Sequence, residues 1–182
     1  MKRLRTPKRI RIPDAIALGG DVIEILLSHR EDAHGLRNLA EHTIELFTTP
    51  TEPTMWRLFQ TTYDDDPVAE ARYVEKTRGR LIARKREDAT RAISVFNTGK
   101  PGLASFKIRT DRAHTLNVLG FLDDARLIMG TRLNIQQGET RRGEIRRFAS
   151  PDHPDRLPRN QYLFLTHLEF KLLAAVRGAF SP

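Results

Sequence analysis

The sequence contains no cysteine, so the chain can form neither disulfide bonds nor thiolate metal sites. It also has no apolar run near the length of about 20 residues that a membrane-spanning helix needs. No apolar segment follows the basic start of the chain, as a secretory signal peptide would require. We therefore expect a cytoplasmic protein without a membrane partner.

The sequence motifs of several common enzyme classes are missing as well. There is no dinucleotide-binding Gly-x-Gly-x-x-Gly, no phosphate-binding P-loop and no Gly-x-Ser-x-Gly nucleophile elbow. Glu31-x-x-His34 has the spacing of one half of a di-iron site, but such a site needs the motif twice and it occurs once. We expect no cofactor and no metal site, and we favour a function other than catalysis.

Positive charge is what the sequence has in abundance. It holds 31 lysine and arginine residues against 23 aspartate and glutamate residues, for a net charge of +8, and only seven of the cations are lysine. The planar guanidinium group of arginine suits phosphate oxygens and guanine edges, which favours a nucleic-acid partner. A GC-rich genome would produce the same preference for arginine.

These charges divide the chain into a basic arm (residues 1–12), a helical region (residues 13–98) and an α+β region (residues 99–182), which could together form one continuous domain. The arm holds six cations and no acid, whereas residues 13–66 hold three cations against eleven acids. Cations again outnumber acids in residues 67–98 and in residues 99–182. We expect a polyanion to contact the arm, the central helix or the C-terminal half, and to avoid the acidic block.

The segment Pro67–Thr98 is predicted to form one long helix. Asp66 can cap its start, Pro67 suits the first helical position, and the run from Asn97 to Gly102 ends it. Its apolar residues recur at helical spacing, and Arg78 and Lys85 interrupt the stripe formed by Ala71, Val74, Leu81, Ile82, Ala89, Ile93 and Phe96. Six cations and no acid lie between residues 76 and 86, which predicts a nucleic-acid surface.

The acidic block is predicted to be helical at Asp21–Arg30 and Leu36–Phe47, which are separated at Gly35, and at Thr54–Tyr63. The pattern Leu36-x-x-Leu39-Ala40, followed by Arg57-Leu58, resembles the helix-turn-helix family of DNA-binding proteins, which implies a recognition helix after residue 53. The alternative is that three helices pack a small core around Trp56. We favour this alternative, because the acids of the block would repel phosphate.

Alternating apolar and polar residues predict β-structure in the C-terminal half. One strand is expected at Leu103–Arg109, and a basic hairpin is expected from Thr131–Gln137 and Glu144–Phe148. The predicted fold class is therefore α+β. A helical N-terminal half with a long central helix is followed by a small, mainly antiparallel sheet that contains the hairpin.

Other stretches of this half are less specific. His114–Leu122 and Gln161–Val176 fit either a helix or a strand. Asp123-Asp124 predicts a turn before a further element at Ala125–Met129, and the prolines of Ser150–Asn160 predict a loop.

A different function is implied by Pro151-Asp152 together with Glu169-x-Lys171. This pattern resembles the proline-aspartate and acid-x-lysine signature of metal-dependent nucleases. In that family two carboxylates hold Mg²⁺ and the lysine stabilises the attacking hydroxide, so the resemblance implies that Asp152, Glu169 and Lys171 are catalytic. A third hypothesis is an assembly protein whose acidic block docks on a basic face of a neighbouring copy.

The favoured hypothesis is a nucleic-acid-binding protein, a DNA-binding regulator or accessory factor that self-associates, with DNA preferred over RNA. Phosphate contacts are expected from the arm (Lys2, Arg3, Arg5, Lys8 and Arg9), from the central helix (Lys76, Arg78, Arg80, Arg84, Lys85 and Arg86) and from the hairpin (Arg132, Arg141, Arg142, Arg146 and Arg147). This hypothesis requires that cations far apart in the sequence converge on one positive face.

Overall fold

The computed structural model describes residues 12–48, 58–59, 61–135 and 156–178. Within these ranges the elements follow in the order β1 (Asp14–Gly19), β2 (Val22–Leu27), α1 (Arg30–Thr48), α2 (Pro67–Asn97), β3 (Lys100–Pro101), β4 (Phe106–Asp111), α3 (Arg112–Arg132) and α4 (Arg156–Gly178). The strands form one antiparallel sheet in the order β1-β2-β4-β3. The predicted α+β class is confirmed, with strands and helices in a partly mixed order.

A β-hairpin, formed by β1 and β2, precedes the first helix. The prediction of a helix at Asp21–Arg30 is therefore wrong. Gly19 and Gly20 have φ angles of 101° and 57°, which only glycine adopts readily, and they turn the chain back on itself. Ile23, Ile25 and Leu27 are fully buried at alternate positions, as a strand requires. Val22 and Leu26 are apolar as well, so that only Glu24 is polar in β2, and this is why the stretch fitted a helix equally well.

Helix α1 continues through Gly35, so this glycine does not separate two helices. Leu36 and Ala40 are buried within α1, which extends to Thr48. The first half of the helix-turn-helix pattern is thus the middle of a longer helix. Residues 53–57 of its second half lie outside the described residues. The short helix expected at Thr54–Tyr63 is wrong at its described residues, because Leu58, Phe59 and residues 61–63 are not helical.

Helix α2 confirms the long central helix and ends one residue earlier than expected. The Asp66 carboxylate accepts hydrogen bonds of 3.0 Å from the backbone N–H groups of Val68 and Ala69, and Pro67 opens the helix. Its 31 residues extend for about 46 Å. Within the apolar stripe, Ala89 and Phe96 are buried and Ile93 is partly buried, whereas Leu81 is 39% exposed.

The C-terminal half is more helical than the pattern indicated. Helix α3 runs through Asp123-Asp124, where a turn was expected, and it includes His114–Leu122 and Ala125–Met129. Gln161–Val176, which fitted either a helix or a strand, is helical and belongs to α4. This helix begins at Arg156, inside the loop expected at Ser150–Asn160. Pro158 lies in its first turn, where the missing N–H leaves no hydrogen bond unmade.

The two β-predictions of this half have different outcomes. The strand expected at Leu103–Arg109 is confirmed as β4, three residues shorter at its start and two longer at its end. The first hairpin strand is wrong at its described residues, because Thr131 and Arg132 belong to α3 and residues 133–135 follow as a turn and not as a strand. The rest of the hairpin, from residue 136 onward, lies outside the described residues.

One hydrophobic core joins the sheet and the four described helices. Ile25 and Ile108 cover one face of the sheet, and Leu122 of α3 and Leu172 of α4 pack in the same core. None of the helices in the described ranges is long and apolar enough to cross a membrane. The N-terminal half of α2, with Val68 62% exposed, is the part of this helix that contributes least to the core.

Candidate nucleic-acid interface

Four cations of α2 lie along one side of the helix at intervals of four residues: Arg72, Lys76, Arg80 and Arg84. Residues four apart are neighbours on a helix surface, and each step rises by about 6 Å. All four side chains are exposed, and no carboxylate in the described ranges pairs with any of them. We call this set the α2 row.

The charges of the α2 row are not compensated by the residues around it. The guanidinium of Arg80 donates hydrogen bonds of 3.2 and 3.3 Å to the backbone carbonyl of Lys76, which lays the arginine along the helix. Glu87 lies on the same side, but it is 3.8 Å from Arg91 and so forms an ion pair of its own. The row therefore presents net positive charge to the solvent.

Two cations of the same segment point elsewhere. Lys85 donates a hydrogen bond to Asp124 of α3, and the Asp124 carboxylate is 3% exposed. Burial raises the pKa of Asp124, and the hydrogen bond from Lys85 acts in the opposite direction. The guanidinium of Arg78 stacks over the ring of Phe59 at 5.4 Å from its centre. Arg86 is exposed on a neighbouring side of α2.

Two cations of β4, Lys107 and Arg109, are paired with an internal acid. Glu24 is 3% exposed, and it accepts a 2.9 Å hydrogen bond from Nε of Arg109 and a 3.3 Å hydrogen bond from Nζ of Lys107. The hydrogen bond from Arg109 lowers the pKa of Glu24 most, with a further contribution from Lys107 and in spite of burial. Glu24 therefore balances charge that the sequence alone would assign to a basic surface.

Of the phosphate contacts predicted outside α2, the structure describes only Arg132. Arg132 ends α3, and its guanidinium lies 3.4 Å from Nε2 of His42 on α1. Arg141, Arg142, Arg146 and Arg147 of the hairpin lie outside the described residues, as do Lys2, Arg3, Arg5, Lys8 and Arg9 of the arm. Their convergence with α2 stays a prediction.

The residues of the nuclease pattern diverge on α4. Glu169 forms an ion pair with Arg126 of α3, whereas Nζ of Lys171 lies 3.0 Å from the carboxylate of Asp14 in β1. Residues two apart on a helix point about 200° apart, so an acid-x-lysine pair that converges on a strand cannot converge here. Asp152 lies outside the described residues. The arrangement of α4 does not favour the nuclease hypothesis.

A cleft of about 370 Å³ lies between the C-terminal end of α2 and the start of α3. Nδ1 of His114 is 2.8 Å from both carboxylate oxygens of Asp111, and the same carboxylate caps α3 through the backbone N–H of His114. This backbone hydrogen bond is the largest cause of the lowered pKa of Asp111. Ser94 of α2 and Thr98, which caps the end of this helix, also line the cleft.

Sequence reasoning missed Arg72 and the Asp111–His114 pair. Arg72 could have been found, because it continues the four-residue spacing of the α2 row by one step toward the start of the helix. Asp111 and His114 are only three residues apart, but the cap was not recognised because His114–Leu122 fitted a strand as well as a helix. The cleft itself gave no signal, since it joins residues from β2, α2, β4 and α3 that are distant in the sequence. Across the described ranges, no three His, Asp or Glu side chains are grouped so as to hold a metal ion.

Comparison with protein families gives one match. A family model described as a domain of unknown function (DUF2017) matches residues 15–176, which is most of the chain. The chain therefore belongs to this family. A search of curated proteins and a search of solved structures each found no match.

Proposed function

We propose that this member of the DUF2017 family binds nucleic acid, and that the α2 row is its phosphate-contacting surface. The observation that carries the proposal is the row itself: four exposed cations at regular spacing, without a carboxylate partner in the described part of the chain. Three of the four are arginine, whose planar group donates two parallel hydrogen bonds to a phosphate.

Electrostatics of this kind predict a particular mode of binding. Cations that contact phosphates release condensed counterions, so affinity falls steeply as salt rises. Contacts to the backbone position a protein on nucleic acid without reading its sequence. We therefore expect binding that depends strongly on salt and weakly on sequence. A DNA-binding regulator or accessory factor that self-associates in the cytoplasm is the role we propose for such a protein.

The test compares two variants of equal charge. The row variant carries Arg80→Gln and Arg84→Gln, and the control variant carries Arg30→Gln and Arg177→Gln. Arg30 and Arg177 are exposed at ends of α1 and α4, outside the α2 row. Fluorescence anisotropy with labelled single-stranded and duplex DNA, and with RNA, gives the affinities at two salt concentrations.

We expect the row variant to lose about tenfold or more in affinity, because two phosphate contacts are removed. The control variant should bind like the wild type, since its net charge changes equally but its arginines do not contact the ligand. Equal losses in the two variants would contradict the proposal and leave only attraction by net charge. Salt-sensitive oligomers that ignore nucleic acid would favour the assembly hypothesis instead.

A further inference from the structure

The cleft beside His114 lies on the same side of α2 as the α2 row. Eighteen residues make five full helical turns, so Ser94 is in line with Lys76, and Thr98, which caps the helix, is in line with Arg80. Ser94 follows Arg84 by about 15 Å along the helix axis. A chain of phosphates that lies on the row therefore points toward the cleft.

The lining of the cleft differs from the row in charge. Arg109 and Asp111 carry opposite charges, and Arg109 is already bonded to Glu24. The hydroxyl groups of Ser94 and Thr98 and the side chain of Val95 complete much of the remaining wall. The volume of about 370 Å³ lies at the lower end of the range for small-molecule sites. Such a nearly neutral lining suits an uncharged group with polar edges better than it suits a phosphate.

Asp111 gives His114 a defined hydrogen-bonding role. Because the Asp111 carboxylate accepts the proton of Nδ1, Nε2 of the neutral ring becomes a hydrogen-bond acceptor. None of the described residues bonds to Nε2. The hydroxyls of Ser94 and Thr98 donate their protons to the backbone carbonyls of Thr90 and Val95, so their remaining lone pairs act as acceptors. The cleft thus offers an imidazole acceptor and two hydroxyl acceptors, which suit the exocyclic amino group of a base.

We propose that the cleft holds one unpaired nucleobase of a single strand whose phosphates lie on the α2 row. A base is uncharged, has polar edges and an apolar face, and matches a lining of hydroxyl, imidazole and valine side chains. Its edge is available only when it is neither paired nor stacked, so single-stranded nucleic acid is the partner. This inference rests on the proposed function, because the row must hold the adjoining phosphates.

The first experiment compares two single strands of about 12 nucleotides with the same number of phosphates. One strand carries ordinary bases, and the other is abasic throughout. We expect the wild type to bind the base-bearing strand about tenfold more tightly, in keeping with the contribution of one held base. Ser94→Ala and His114→Gln should each reduce this preference and leave the affinity for the abasic strand unchanged.

Ser94 is exposed, so Ser94→Ala is expected to fold normally, and its melting temperature checks this. A wild type that binds both strands equally would overturn the cleft inference and leave the row proposal standing. Equal preference in the wild type and both variants would also overturn it, because the base would then be held elsewhere.

A second arm separates the two proposals if neither strand binds. Uncharged adenosine and cytidine are titrated into the wild type, and the backbone amide signals of Ser94, Thr98 and His114 are followed by NMR. Saturable shifts that His114→Gln abolishes would support the cleft while the row proposal fails. Unmoved signals in that case would overturn both.

Discussion

Arg84 and Lys85 are consecutive cations of α2 with opposite environments. Arg84 is exposed, whereas Lys85 lies between α2 and α3 and donates a hydrogen bond to the buried carboxylate of Asp124. Consecutive residues on a helix point about 100° apart, and this rotation alone separates the two environments. The density of cations in a segment therefore does not define a basic surface, because the side of the helix decides which of them remain exposed.

A similar contrast separates the α2 row from three cations of β4 and α4. Glu24 balances Lys107 and Arg109 on the sheet, and Asp14 pairs with Lys171 of α4. The α2 row has no such partners within the described ranges. Paired cations stabilise the contacts between elements, and uncompensated ones remain available to a ligand.

The largest expected effect compares Lys85→Met with Arg84→Gln. Removing the charge of Lys85 leaves the Asp124 carboxylate buried without its partner, so the free energy of unfolding should fall by about 3 kcal/mol at pH 7. Arg84→Gln changes an exposed side chain and should alter it by less than about 0.5 kcal/mol. Urea unfolding measures the free energy of unfolding of both variants. Similar losses of stability would contradict the different environments of Arg84 and Lys85.

The destabilisation caused by Lys85→Met is expected to depend on pH. Without Lys85, the Asp124 carboxyl group is expected to stay protonated to a higher pH than in the wild type. Burial and the negative charges of Asp123 and Asp88 all raise its pKa, and the opposing effect of Lys85 is then gone. The destabilisation by Lys85→Met should therefore shrink as the pH falls toward 4. A loss that is constant between pH 7 and pH 4 would mean that the lost interaction is packing rather than charge.

Glu24 is expected to make stability depend on pH in the acid range. Its pKa is lower in the folded protein than its ordinary value of 4.5, so ionised Glu24 stabilises the fold above that value. This stabilisation is lost as the pH falls through the folded pKa. Glu24→Gln should therefore lose less stability than the wild type between pH 7 and pH 3, as read from urea midpoints. If the wild type and Glu24→Gln lost equal stability over this pH range, Glu24 would not contribute to the acid sensitivity of the fold.

The smallest expected effect concerns two glycines within helices. A methyl group at Gly79 would meet open space, so Gly79→Ala should stabilise the protein by about 0.5–1 kcal/mol through helix propensity. At Gly120 the same methyl group would lie 2.7 Å from Oδ2 of Asp88, so Gly120→Ala should be destabilising. The melting temperatures of the two variants test this difference. A higher melting temperature for Gly120→Ala than for the wild type would contradict the close packing of α2 against α3.

Local signals were enough to predict α2. Asp66, Pro67 and the apolar spacing all act within a few residues, and Lys85 could be recognised as an interruption of the apolar stripe. Its partner Asp124 could not be identified, because that contact depends on how α3 packs against α2. The position of Asp124 was even expected to be a turn.

The hairpin of β1 and β2 shows where local reasoning failed. Its Gly19-Gly20 turn is a hairpin signal, but the apolar run of β2 fits a helix as well as a strand. The choice is made by pairing with β4, about 85 residues later, where Arg109 lies opposite Glu24. The cleft at His114 was missed for the same reason, since four elements must fold before it exists.

The salt dependence of nucleic-acid binding tests the role of the α2 row most directly. The logarithm of the affinity for a single strand is plotted against the logarithm of the salt concentration for the wild type, the row variant and the control variant. Because each phosphate contact contributes about 0.7 to the slope, the row variant should lose about 1.4 and the control variant nothing. Equal slopes for the row variant and the wild type would contradict the account.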